Sequence, residues 1–87
     1  MKLLIFVKKW FDKANGNTYH SIQFDIKNTI FFSGRKYGYG TQYKQTLKEF
    51  DGFCIDDVQF NIDEYDVSYI VIDANKKSDL EQIHQYS

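Results

Sequence analysis

Lys2-Leu3-Leu4-Ile5-Phe6-Val7-Lys8-Lys9-Trp10, then Asn15-Gly16, then Tyr19-His20-Ser21-Ile22-Gln23-Phe24-Asp25-Ile26, is the stretch that decides the fold. Leu3, Ile5 and Val7 alternate with Leu4, Phe6 and Lys8, so this strand is apolar on both faces until its end turns basic. Such a strand belongs inside a sheet. Asn15-Gly16 is the strongest hairpin signal in the chain, because a type I′ turn needs positive φ at both central residues. Beyond it, His20, Ile22, Phe24 and Ile26 share one face and Tyr19, Ser21, Gln23 and Asp25 the other, a half-buried antiparallel partner. Lys27-Asn28 turns the chain into a third strand, Thr29 to Ser33, ended by Gly34. The N-terminal part therefore reads as a three-stranded meander.

The segment Gly34-Arg35-Lys36-Tyr37-Gly38-Tyr39-Gly40 has no strand or helix period and reads as a glycine-rich loop. Thr41 is the expected N-cap of a helix carrying Tyr43, Leu47 and Phe50 inward, with Gly52 at its left-handed end and Phe53 packing back on Leu47. Val58, Phe60 and Ile62 alternate with polar residues as a fourth strand, and Asp63 to Asp66 form a turn. Val67 to Ile72 reads as an interior fifth strand. Ser78-Asp79-Leu80-Glu81 fits a capping box opening a second helix, with Leu80 and Ile83 inward. The order β-β-β-α-β-β-α predicts a single small α+β domain over residues 1–87, an antiparallel or mixed five-stranded sheet with two helices packed on one face.

The formal net charge of −1 conceals a segregation. Residues 1–48 hold nine Lys/Arg and two Asp, residues 49–75 hold eight Asp/Glu and no Lys or Arg, and the last twelve residues balance. A layout of this kind bears on steering and partners rather than on fold. With 43% apolar and 18% aromatic residues the chain has ample surface to bury, which excludes intrinsic disorder. The lone Cys54 can form no intramolecular disulfide and reads as a small buried hydrophobe. Five apolar residues after Lys2 fall short of a signal peptide, and no apolar run approaches the roughly 20 residues that span a bilayer. A cytoplasmic protein with no membrane partner is expected.

Two basic, aromatic segments could carry function. The hairpin tip brings Lys8, Lys9, Trp10, Lys13, Tyr19 and His20, and the glycine loop brings Arg35, Lys36, Tyr37 and Tyr39. Lysines and Arg neutralise phosphate while aromatic faces stack on unpaired bases, so these ten residues are the candidates for binding nucleic acid or a nucleoprotein complex. Each has a plainer reading too, the aromatics as cross-strand packing and the lysines as a solvated rim. Glycine before a helix also makes residues 38–42 an anion-site candidate. The acids Asp56, Asp57, Asp63, Glu64 and Asp66 either face a basic partner or serve solubility by offsetting the basic half. They lack the regular spacing of an EF-hand, so no metal and no cofactor is expected.

For catalysis, His20 lies on the apolar face of its strand and His84 near the end of the last helix, and neither belongs to a recognisable nucleophilic arrangement. The expectation is therefore a non-enzymatic binding protein with no catalytic residues. The alternatives are a small enzyme acting on a phosphodiester through His20, with Arg35 and Tyr37 stabilising an oxyanion, and a homo-oligomeric accessory protein.

At Lys9-Trp10-Phe11-Asp12, Gly16-Asn17-Thr18-Tyr19-His20-Ser21 and Tyr37-Gly38-Tyr39-Gly40 the chain resembles short uncharacterised proteins of phages and mobile elements, as does its ending from Asp73 to Leu80. The resemblance carries no established activity. It implies a viral or mobile-element origin, action in the host cytoplasm, and an accessory role of which inhibition of host defence, in the manner of an anti-CRISPR, is one concrete form.

Overall fold

The computed structural model describes residues 1–82; Ile83 and His84, assigned above to the last helix, lie outside the described residues. β1 (Lys2–Asp12) and β2 (Asn17–Ile26) form a long antiparallel pair, and β3 (Thr29–Phe32) continues the meander. β4 (Lys36–Tyr37) follows, then α1 (Tyr43–Glu49), β5 (Cys54–Ile55), β6 (Val58–Gln59), η1 (Ile62–Glu64), β7 (Asp66–Asp73) and η2 (Lys77–Glu81). The main sheet has the order β3-β2-β1-β7, with β4 also on β2, and β7 runs parallel to β1 from Lys2↔Asp66 to Lys9↔Asp73. The sheet is mixed and five-stranded and the domain is α+β.

β1 is interior, as its two-sided apolar pattern requires. One of its faces buries Leu3, Ile5 and Val7 against Ile22, Phe24, Ile26, Phe31 and, from α1, Leu47. At the centre the Phe24 ring lies 4.9 Å from Phe31 and 4.8 Å from Phe60, with Phe50 edge-on at 5.6 Å. Offset and edge-to-face pairs of this kind add about 0.5–1.5 kcal/mol each beyond the area they bury.

The helices do not share a face. α1 covers the core side, whereas η2 crosses the other side. Lys8, which points away from Val7 by strand alternation, donates from Nζ to the Asp79 and Gln82 carbonyls at 3.2 and 2.9 Å. η2 is a single 3₁₀ segment rather than an α-helix, and it fully buries Leu80. No capping box forms. Asp79 takes that role, accepting the Asn75 amide on Oδ2 at 3.2 Å. α1 likewise begins without a side-chain cap, at Gln42 rather than Thr41.

The turns exchange roles relative to the sequence reading. Residues 13–16 separate Asp12 from its partner Asn17, and of Asn15 and Gly16 only Gly16 has positive φ. The turn is built by Asp12, whose carboxylate accepts the Ala14 amide at 3.0 Å and the Asn15 side chain at 2.8 Å. Positive φ at both central residues, the type I′ requirement, occurs instead at Lys27-Asn28 and at Asp56-Asp57.

Three more elements depart from expectation. The glycine loop contains β4, because Ser33 breaks the strand after β3 and substitutes its hydroxyl for a ladder acceptor, taking the Ile22 amide on Oγ at 2.9 Å. The fourth strand shrinks to β6, in a separate hairpin with β5 that is closed by Gly52 donating to the Phe60 carbonyl at 2.7 Å and inserts Phe60 into the core. β7 is an edge strand, not an interior one. Gly52 does adopt a positive φ of 87°, but Phe53 rests edge-on against Phe50 and stays half-exposed. Cys54 is exposed rather than buried. Among the described residues no helix is long and apolar enough to cross a membrane.

Removal of the Phe24 ring empties the centre of the aromatic cluster, so Phe24→Ala should lower unfolding free energy by about 3–5 kcal/mol. Phe53→Ala should cost less than about 1 kcal/mol, because that ring already stands half in water. Urea denaturation of the two variants checks the contrast.

Candidate functional site

The strand registers place three aromatic residues in a row across one end of the sheet. Trp10 on β1 pairs with Tyr19 on β2, and Tyr19 pairs with Tyr37 on β4. Directly opposed residues share a face, so the three rings stand together on the η2 side. Trp10 and Tyr19 are stacked with centroids 6.0 Å apart, and Tyr37 meets Tyr19 edge-on at 5.6 Å. The Arg35 guanidinium lies over the Tyr19 ring at 5.6 Å and pairs with Glu81 at 3.7 Å. Trp10 and Tyr19 are half-buried and Tyr37 is 64% exposed.

The end of the row at β1 opens into a groove. β7 stops opposite Lys9, so Trp10 and Phe11 have no partner on that side and line a concavity of about 620 Å³ with Lys9, Lys13, Asp73 and Asn75. Phe11 is exposed there and Lys13 stands in the exposed turn. The two free aromatic surfaces, Trp10 facing the groove and Tyr37 at the far end, therefore flank an inner ring sandwiched with Arg35.

The remaining basic and aromatic candidates lie off the row, although Lys9 also borders the groove. Lys8 is a structural cation that caps the carbonyls of η2. Lys9 belongs to the opposite face, where Nζ donates to the Gly40 carbonyl at 3.0 Å and lies 6.0 Å from the centre of the Tyr43 ring. Lys36 is exposed on that opposite face too, opposite His20, and Tyr39 projects from the loop before α1. The anion site expected at residues 38–42 is not formed as read, since Gly38 donates to the Thr18 carbonyl at 3.0 Å and Gln42 to Tyr39 at 3.2 Å.

His20 is a buried structural group. Its Nδ1 lies 3.3 Å from the Gly38 carbonyl, an acceptor only, so Nδ1 carries the proton. Nε2 then accepts from the Thr46 hydroxyl at 2.6 Å. One imidazole thereby ties β2 to the glycine loop and to α1. Gly38 has to be glycine at this point, because a Cβ there would come within 2.8 Å of Gln42 and 3.3 Å of the ring. With both nitrogens engaged, His20 presents neither a general base nor a binding group at the surface.

The acidic candidates gather at the other end of the sheet. Asp56 and Asp57 form the β5–β6 turn, Asp63 and Glu64 lie in η1, and Asp66 opens β7 with its amide on the Met1 carbonyl at 2.7 Å. Asp57 and Glu64 share a cleft of about 270 Å³ with Asp25 and Lys2. Among the described residues no group of three His, Cys, Asp or Glu side chains could hold a metal ion. Neither family models, nor curated proteins, nor solved structures contain a match to this chain.

Burial holds the His20 imidazole below its ordinary 6.5, opposed by the Gly38 hydrogen bond and aided by Lys9 and Lys36, with Glu49 acting the other way. A depressed native value means that the unfolded chain takes up the proton more readily. The contribution of His20 is thus full above 6.5 and lost as pH falls below it. Between about pH 7.5 and about pH 5.5 the urea midpoint should fall, and His20→Gln should start lower but fall less.

Proposed function

We propose that the protein is a non-enzymatic binding module that engages single-stranded nucleic acid across the Trp10–Tyr19–Tyr37 row. The observation that carries this reading is three aromatic residues in register on adjacent strands with a guanidinium 5.6 Å over the ring of the middle one. Bases of a single strand stack on such rings irrespective of sequence, at about 1–3 kcal/mol per base by alanine substitution. Strands about 4.8 Å apart set the row at a length of about 10 Å, which suits two or three nucleotides. Arg35, over the Tyr19 ring, and Lys13, at the groove, would be the phosphate ligands. Duplex nucleic acid is disfavoured, because its stacked and paired bases offer no free faces to aromatic rings.

Binding is favoured over hydrolysis of a phosphodiester for one reason. His20, the residue such an enzyme would use, is 2% exposed and bonded at both ring nitrogens.

The single tryptophan lies in the row, so its fluorescence reports occupancy. Titration with oligo-dT or oligo-rU should quench it, and Tyr37→Ala should weaken binding by about 5- to 150-fold. Arg35→Ala should also reduce the salt slope by about 0.7 for each phosphate that the guanidinium neutralises. Lys48→Ala, on α1 away from the row, should change neither. Absence of quenching at low salt, or binding indifferent to Tyr37 and Arg35, would remove nucleic acid as the ligand.

A further inference from the structure

β7 runs for eight residues, Asp66–Asp73, along the edge of the main sheet. Among the described residues no strand pairs with its outer side. An open edge is a template for another strand, and proteins that must leave one open place Lys, Pro or a bulge on it or cover it. β7 has no Lys or Pro and no bulge in its register with β1, and among the described residues no strand covers it. It is a regular strand with consecutive exposed apolar residues, Ile70 at 42%, Val71 at 43% and Ile72 at 40%, bounded by an acid at each end.

What suits this edge is written on its inner side. β1 pairs along the whole of β7 and sets Lys2 opposite Asp66 and Lys9 opposite Asp73, with the apolar run Leu3 to Val7 and then Lys8, opposite Ile72, between. Opposite charges at facing positions of neighbouring strands stabilise the pair, and like charges oppose it. The two carboxylates therefore select for basic residues at the ends of an apolar strand, and the outer side presents the same carboxylates. A second copy of β7 fits badly. Antiparallel self-pairing over the full strand would bring Asp66 of one copy against, or one position from, Asp73 of the other, twice by symmetry.

We propose that the outer edge of β7 docks an extended segment of another protein, apolar in the middle and basic at its ends, as an added strand. Main-chain hydrogen bonds supply the affinity of such a complex, and the side chains at the strand ends supply its specificity. The acids at the Met1 end, Asp63 and Glu64 in η1 next to Asp66, extend the negative field in which the basic end of that segment would lie. This surface shares no residue with the aromatic row, apart from Asp73 at the rim of its groove.

The probe is the capped peptide Lys-Val-Thr-Val-Thr-Val-Thr-Lys, added to the full chain and followed by amide chemical shifts and hydrogen exchange. Binding should protect amides of residues 66–73 and leave those of β3, the opposite edge, unchanged. The same peptide with Glu at both ends should bind at least about tenfold more weakly. Asp66→Asn with Asp73→Asn should erase that preference while retaining the native spectrum. Equal binding of the two peptides, or no shift at about 1 mM peptide, overturns the proposal. Concentration-dependent protection of residues 66–73 in the protein alone also overturns it, in favour of a second copy as the occupant.

Discussion

The two ladders of β1 are the constraint on which the rest of the structure depends. β1 pairs antiparallel with β2 from Phe6↔Gln23 to Asp12↔Asn17 and parallel with β7 from Lys2↔Asp66 to Lys9↔Asp73, so its backbone is enclosed on both sides through its middle, Phe6 to Lys9. Enclosure of backbone polar groups demands that the side chains above and below be apolar as well. Ile5 and Val7 are fully buried on the core side, and each contributes about 1.5–3 kcal/mol relative to exposure. A parallel neighbour also cannot be reached by a tight turn. The chain between β2 and β7 has to cross the sheet, and the crossing carries α1 and the β5–β6 hairpin, with Phe60, onto the core face.

The aromatic row exists because the sheet narrows at the end of β1. β7 ends opposite Lys9, and β3 gives way at Ser33 to the two residues of β4. The hairpin of β1 and β2 therefore runs on past the core, and aliphatic side chains there would have nothing to pack on. Large flat rings solve that local problem, since Trp10, Tyr19 and Tyr37 cover the strands by packing on one another and keep polar tips in water. The proposed stacking of bases would use the same property. His20 secures the arrangement from behind by fixing β2 to Gly38 and Thr46, which holds the loop that delivers Tyr37. Rigidity of the row is thus a consequence of a buried imidazole on the opposite face.

The meander and its core face could be read from alternation alone, because β1 and β2 are long and Leu3, Ile5, Val7, Ile22, Phe24 and Ile26 repeat at a period of two. The residues of the row were also visible, as aromatics among basic residues. Their grouping was not. Only the register that brings Tyr37 opposite Tyr19 separates Trp10, Tyr19 and Tyr37 from Lys9, His20, Lys36 and Tyr39, and that register rests on β4, a strand of two residues with no period to detect. Lys8 looked like a phosphate ligand until η2 supplied the carbonyls that its ammonium caps. The edge position of β7 was hidden for a related reason. Val67 to Ile72 has the composition of an interior strand, and composition reports what a strand can be covered by, not whether the covering comes from the same chain.

The charge segregation of the sequence survives in part. Lys2 stands opposite Asp66 and Lys9 opposite Asp73 in the β1–β7 register, and Arg35 lies 3.7 Å from Glu81 beside the row. What remains is a polarity along β1. Asp57, Glu64 and Asp25 cluster at its start, and Lys13 stands beyond Trp10 at its end. Eight residues of strand separate Lys2 from Trp10, roughly 26 Å at about 3.3 Å per residue. The Debye length at physiological salt is only about 8 Å, so the acids at the far end scarcely oppose a polyanion at the row. The nearby negative charge that matters there is Asp73, at the rim of the groove and across from Lys9.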